Sequence, residues 1–179
     1  MPGISVRRKV MENIILTGMP GVGKSTVGVI LAKEIGYRFL DSDLLIQERE
    51  KRLLKEIIAE EGIDGFLKIE NQVNASIDAE KTVIATGGSA VYGSEAMRHF
   101  KETGRVIYLH LEYDQLKKRL GDLKDRGVVL REGQTLLDIY KEREILYRQY
   151  ADLVLDETGR DLENTLAELI RQLQLPDRK

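Results

Sequence analysis

The chain has 179 residues, 42% of them hydrophobic and 32% charged, a balance that fits one ordinary globular domain large enough to bury a core. A net charge of −2 leaves no basic surplus for a nucleic-acid backbone, so no nucleic-acid partner is expected. Cys is absent and His99 and His110 are the only histidines, which excludes disulfides, thiolate sites and a His-built metal centre.

No apolar run reaches the length of a membrane span, so no membrane partner is expected either. Residues 1–9 are basic but carry neither an apolar core nor a cleavage site, and do not read as a signal peptide. Residues 1–11 are expected to form a flexible arm, 1–179 a single domain, and the protein a cytoplasmic one. An apolar run at about 12–17 makes the first strand and leads into Gly18-Met-Pro-Gly-Val-Gly-Lys-Ser-Thr26. That stretch matches G-x-x-x-x-G-K-[ST], and a helical pattern from 26 to 35 comes directly after it. Strand, glycine-rich loop and helix form a phosphate cradle, because loop N–H groups and the positive end of the helix face the anion. Gly21, Val22, Gly23, Lys24, Ser25 and Thr26 are therefore expected to bind ATP. Lys24 would reach its terminal phosphates, and Ser25 would offer a hydroxyl to Mg²⁺.

The second strand, about 37–41, closes in Asp41-Ser-Asp43. Asp41 stands at a strand end, where a carboxylate can serve Mg²⁺; Asp43, two residues on, can take the proton of an attacking hydroxyl. Either could instead cap the helix beginning at Leu44. Helices are expected at 44–51, 53–60 and 66–79, with Glu61-Gly-Ile-Asp-Gly65 as a turn. The third strand, 82–86, runs into Gly87-Gly88-Ser89; Ser94 is expected to cap a helix reaching 102, and 105–111 is the fourth strand. After a helix at 113–120 the periodicity fails. The glycine-rich, charged stretch 121–133 is expected to be a mobile lid, with Arg126 closing over the transferring phosphoryl group and water excluded.

Thr135-Leu-Leu-Asp138 reads as a capping box opening a helix to 150. Arg143 and Arg148 lie on different faces of it. Arg148, near the end that approaches the sheet edge, is expected to hold an anionic group of the acceptor. A last strand at 152–155 and a helix at 161–173 close the chain. Asp156-Glu-Thr-Gly159 fits the D-x-x-G of GTPase switches, but no Asn-Lys-x-Asp is present to read guanine, which excludes that class.

Short strands alternating with helices imply an α/β fold, a five-stranded parallel sheet between two helical layers. Ligands of such sheets bind outside the carboxyl ends of the strands. The loop at Gly18, Asp41-Ser-Asp43 and Gly87-Gly88-Ser89 each come directly after a strand, so they are expected on one edge, in one site.

These residues together resemble the shikimate kinase family, over about 13–173. Residues 18–26 are similar to its Walker A loop, and Asp41-Ser-Asp43 to its Asp-Thr-Asp. Phe66 and Glu70 fit its Phe-Arg-x-x-Glu, Gly87-Gly88 its triple glycine, and Leu146-Tyr-Arg148 its Leu-Tyr-Arg. The resemblance implies a P-loop kinase fold related to nucleoside monophosphate kinases, with strand order 2-3-1-4-5, acting as a monomer with ATP and Mg²⁺. It implies Lys24, Asp43 and Arg126 as catalytic residues, Arg119 and Arg126 beside the nucleotide, and Ser25 and Asp41 at the metal. Asp43, Gly87, Gly88 and Arg148 would hold the small hydroxylated acceptor.

Three departures lie on the acceptor side: Leu67 stands where the family has arginine, Ser89 where it has the third glycine, and Gly127 comes after the lid arginine in place of proline. If Leu67 packs into the core, Lys55 and Lys68 are the first basic residues to consider for the lost charge. ATP-dependent transfer to shikimate is the expected reaction. A different polyol or hydroxy acid as acceptor, or an ATP-binding module without transfer, remain open at this point.

Overall fold

A computed structural model describes residues 12–121, 128 and 130–175. Five strands, β1 (Asn13–Thr17), β2 (Arg38–Asp41), β3 (Thr82–Ala85), β4 (Gly104–His110) and β5 (Leu153–Asp156), form one sheet in the order β2-β3-β1-β4-β5. Every pairing is parallel, with Ile15 opposite both Ile84 and Val106. The expected class and strand order are both observed. β1, at the centre, is buried along its whole length, as a parallel strand covered on both faces must be.

The two faces sort by the period of two. Ile14 and Leu16 pack with Val27 and Leu31 of α1 (Lys24–Ile35) and with Leu169 and Leu173 of α7 (Leu162–Leu173). Ile15, Ile84 and Val106 pack on Met97 and Phe100 of α4 (Ser94–Thr103). The remaining helices are α2 (Ser42–Glu50), α3 (Leu54–Ala75), α5 (Tyr113–Leu120) and α6 (Leu136–Tyr150), with one 3₁₀ turn at Ala90–Tyr92. Among the described residues no helix is long and apolar enough to cross a membrane.

Local chemistry accounts for most element ends. Asp41 caps α2, its Oδ1 accepting from the N–H groups of Asp43 at 3.0 Å and Leu44 at 3.3 Å. Thr135 and Asp138 form the expected capping box of α6, with Thr135 N–H donating to Asp138 Oδ2 at 2.8 Å. Ser94 is the first helical residue of α4 rather than its cap; the Asn71 side chain, reaching from α3, accepts from Ala96 N–H at 3.0 Å instead. The turn expected at 61–65 narrows to a single residue. Gly62, at φ 72 and ψ 178, interrupts α3, and helix resumes directly after it. The expected arm at 1–11 and most of the lid, 122–127 and 129, with Arg126 and Gly127, lie outside the described residues.

α1 carries the phosphate loop at its amino end, and it lies very close to the sheet. A Cβ on Gly28 would stand 2.7 Å from the Phe39 ring, so only glycine lets the helix seat on β2. Gly28→Ala should destabilise the fold by ~1–3 kcal/mol through overpacking, read as a lower urea midpoint. Adding Phe39→Leu should recover part of that loss; an unchanged midpoint for Gly28→Ala alone would show that the ring gives way freely.

Candidate active site

β2, β3 and β1 are neighbours, so the segments leaving their carboxyl ends converge on one edge. A cleft of about 750 Å³ opens there, lined by Gly21, Gly23, Lys24, Ser25 and Thr26 on one side. Asp41, Asp43, Gly87, Gly88 and Arg143 line it on the other. The sites expected to lie together are therefore together. Gly23, at φ 94, turns the chain into α1 in a conformation other residues rarely adopt. Lys24 is only 8% exposed, and its Nζ donates to the carbonyls of Gly18 at 2.8 Å and Met19 at 2.9 Å. Burial lowers its pKa to about 8, with Arg143 pushing the same way and Asp43 and Asp41 opposing. The ammonium is thus held by its own loop and still charged at neutral pH. Val22 buries its side chain in the core and presents its carbonyl to Arg119 Nη1 at 3.4 Å, which ties α5 to the loop.

Asp41 does two things at once. While Oδ1 caps α2, Oδ2 accepts from Ser25 Oγ at 2.8 Å, joining β2 to the start of α1. One hydroxyl and one carboxylate at this spacing form the oxygen set that Mg²⁺ takes alongside nucleotide phosphates and water. The cap leaves Asp43 free. Its pKa is raised, by burial first and by repulsion from Asp41 second, with Lys24 opposing.

The glycine pair after β3 is explained by close approach. A Cβ on Gly87 would meet Glu70 Oε1 at 2.6 Å and Asp43 Oδ1 at 2.7 Å; one on Gly88 would meet Pro20 at 2.5 Å and Arg143 Nη1 at 3.1 Å. Any side chain here would push apart the loop, Asp43 and Arg143. Gly88 is held from behind, where its carbonyl accepts from Tyr147 of α6. Tyr147 in turn stacks on Tyr108 of β4 at 4.9 Å between centroids.

Ser89 and Glu70 account for one departure from the family pattern. Ser89 Oγ donates to Glu70 Oε2 at 2.6 Å, while Oε1 has no hydrogen-bond partner among the described residues. Leu67, at the position of the family's arginine, packs against the core cluster of Ile46, Ile57, Phe66 and Val73 and does not line the cleft. The hydroxyl of Ser89 therefore supplies a donor to Glu70 where no arginine is present to do so.

One expectation is overturned. Arg148 does not enter the cleft: its guanidinium lies over the Tyr108 ring and pairs with Glu144 at 2.9 Å, its side chain half exposed. Arg143 takes the inner position. It is 4% exposed, with its guanidinium 5.4 Å from the Tyr92 ring centroid, and it lines the cleft beside Gly88. The physical reason is helical phase. Leu136, Ile139, Tyr140, Arg143 and Tyr147 form the buried stripe of α6, and Arg148 is a further residue round the helix. That spacing was present in the sequence and marks Arg143, which sequence reasoning passed over. Of the stretch expected to be a lid, Val128 and Leu130 line the cleft, and Arg131 Nη2 pairs with Asp64 of α3 at 2.5 Å.

Burial raises the Glu70 pKa to about 7, well above its ordinary 4.5, with the Ser89 bond opposing and Asp43 adding to the rise. The folded form therefore holds more protons at Glu70 than the unfolded one between those values, so the contribution of this group to stability is full below about pH 4.5 and is lost as pH rises through about 7. Glu70→Gln should flatten that part of the stability–pH profile measured by chemical denaturation. A slope equal to that of the unaltered chain would overturn the assignment.

The comparisons with known proteins agree with this geometry. A family model described as shikimate kinase matches residues 20–174. A curated shikimate kinase 2 from Yersinia pseudotuberculosis serotype O:3 (strain YPIII) is 38% identical over 156 residues, covering 82% of this chain and 87% of that protein. A solved shikimate kinase from Acinetobacter baumannii, in complex with shikimate, is 35% identical at a TM-score of 0.80 and covers 92% of this chain and 93% of that one. Shikimate kinase from Aquifex aeolicus vf5 is 28% identical at a TM-score of 0.79, covering 90% and 96%. With a matching family model over most of its length, and a cleft that assembles phosphate loop, paired aspartates and glycine pair, this chain belongs to the shikimate kinase family.

Proposed function

We propose that this protein transfers the γ-phosphoryl group of ATP to a hydroxyl of shikimate, with Mg²⁺ held at Ser25 and Asp41. The observation that carries this reading is the position of Asp43. Its carboxylate lies in the cleft between the phosphate loop and Gly87, released from capping duty by Asp41. The complex of the Acinetobacter relative with shikimate supports the choice of acceptor.

Each residue then has a chemical task. The loop at 18–26 and Lys24 hold the phosphates and offset the charge that develops on them. Mg²⁺, held by Ser25 and Asp41, would neutralise negative charge on the phosphates. Asp43 orients the acceptor hydroxyl and receives its proton as the new oxygen–phosphorus bond forms and ADP departs. The transition state of such transfers is loose, so most of the effect of Asp43 lies in orientation. Gly87 and Gly88 give the acceptor access to backbone, and Arg143 faces its anionic group. Arg119 lies against the loop on the nucleotide side. Arg126 remains proposed as the cation that closes over the transferring group.

An ADP-release assay over a panel of hydroxylated acceptors tests this directly. Shikimate should drive saturable ADP release, and Asp43→Asn should lower it by roughly 10²–10⁴-fold. Acceptor-independent turnover that Asp43→Asn leaves unchanged would sink the proposal. Arg143→Ala should raise the KM for shikimate about 10- to 100-fold, the loss of one charge-assisted contact, whereas Arg148→Ala should stay within about twofold. The reverse order would restore Arg148 to the site.

A further inference from the structure

We propose that Lys55 is a specificity-determining residue of this chain, supplying beside Arg143 the second cation for the acceptor's carboxylate in place of the arginine that Leu67 replaces. The inference rests on the reading of the acceptor as shikimate, whose ring carries one carboxylate.

Charge in the cleft requires such a group. Lys24, Lys55 and Arg143 are the cationic residues that line it among those described. Lys24 is committed to the phosphate side, its Nζ bound to Gly18 and Met19 carbonyls. That leaves Arg143 as the one described cation on the acceptor side, where Asp43 also lines the cleft. A carboxylate brought into that half would place a second acidic group there with a single guanidinium to balance it. Pairing is what makes burial of a carboxylate tolerable, so a second cation is needed.

The other basic residues near the cleft are excluded by position or partner. Lys68 is exposed and does not line it. Arg52 is held by Glu50, Glu60 and Glu61 at 2.9, 2.5 and 3.2 Å. Arg131 is held by Asp64. Lys55 makes no ion pair or side-chain hydrogen bond among the described residues, although it stands one residue from Glu56. The Glu56 carboxylate is engaged elsewhere, accepting from Leu53 N–H at 2.8 Å.

Where Lys55 sits is itself informative. It is the second residue of α3, in the first turn, where the helix dipole disfavours positive charge. No intramolecular partner among the described residues offsets that cost. Leu54, Ile58 and Ile63 flank it on the cleft wall and give its alkyl stem an apolar surface to lie on, with the ammonium free to swing inward. A long flexible stem reaching from α3 replaces, in charge, the arginine that would stand one turn past Gly62.

Steady-state kinetics with shikimate and with its carboxamide analogue test the assignment. For Lys55→Ala, the KM for shikimate should rise about tenfold or more while the KM for ATP stays within about twofold. Lys55→Arg should retain the affinity. The unaltered chain should prefer the carboxylate over the carboxamide, and Lys55→Ala should lose most of that preference. Lys68→Ala serves as the control and should change neither. An unchanged shikimate KM in Lys55→Ala, or an equal rise for acid and amide, overturns the role of Lys55 while leaving the proposed reaction standing. Absence of shikimate turnover by the unaltered chain overturns the reaction itself, and the role of Lys55 with it.

Discussion

The carboxylate of Asp41 holds the two halves of the cleft in one register. Through Oδ2 it grips the Ser25 hydroxyl at the start of α1, and through Oδ1 it takes the first free amides of α2. Three elements therefore meet at one side chain: the end of β2 and the beginnings of two helices. The positive ends of both helices favour negative charge at that point, so a second carboxylate can stand close by. The direction of Asp43 is set by this junction, since its own backbone N–H is one of the two that Asp41 fixes.

On the other wall the controlling constraint is space. Gly87 and Gly88 let a carboxylate, a proline ring and a guanidinium approach the same short piece of backbone. Tyr147 presses that piece from behind, and Tyr147 stands one turn from Arg143 on α6. A single helix thus supports the glycines and delivers the cation beside them. Aromatic packing of Tyr147 on Tyr108 carries the support back to the central part of the sheet.

Much of this was legible in the amino-acid sequence. The glycines and lysine of 18–26, the apolar runs of the strands and Asp41-Ser-Asp43 are local features whose physics acts over a few residues. Sheet order and the edge carrying the site can be derived from them with the help of the family pattern. For Arg143 two signals compete: the Leu-Tyr-Arg pattern points to Arg148, whereas the buried stripe of α6 favours Arg143. The role of Ser89 was illegible for a different reason. Its partner Glu70 is 19 residues away on another element, and only tertiary packing brings the two to 2.6 Å. A turn at 61–65 is legible from its glycines, but not that one residue with positive φ suffices to break and restart a helix.

The pair of Ser89 and Glu70 ties two walls of the cleft through one hydrogen bond. Glu70 is 1% exposed, and the hydroxyl that reaches it comes from the segment after β3 rather than from its own helix. With Leu67 packed into the core, removing the hydroxyl at 89 would leave this carboxyl without a side-chain partner among the described residues. A substitution at 89 is therefore felt inside α3, 19 residues away in the chain.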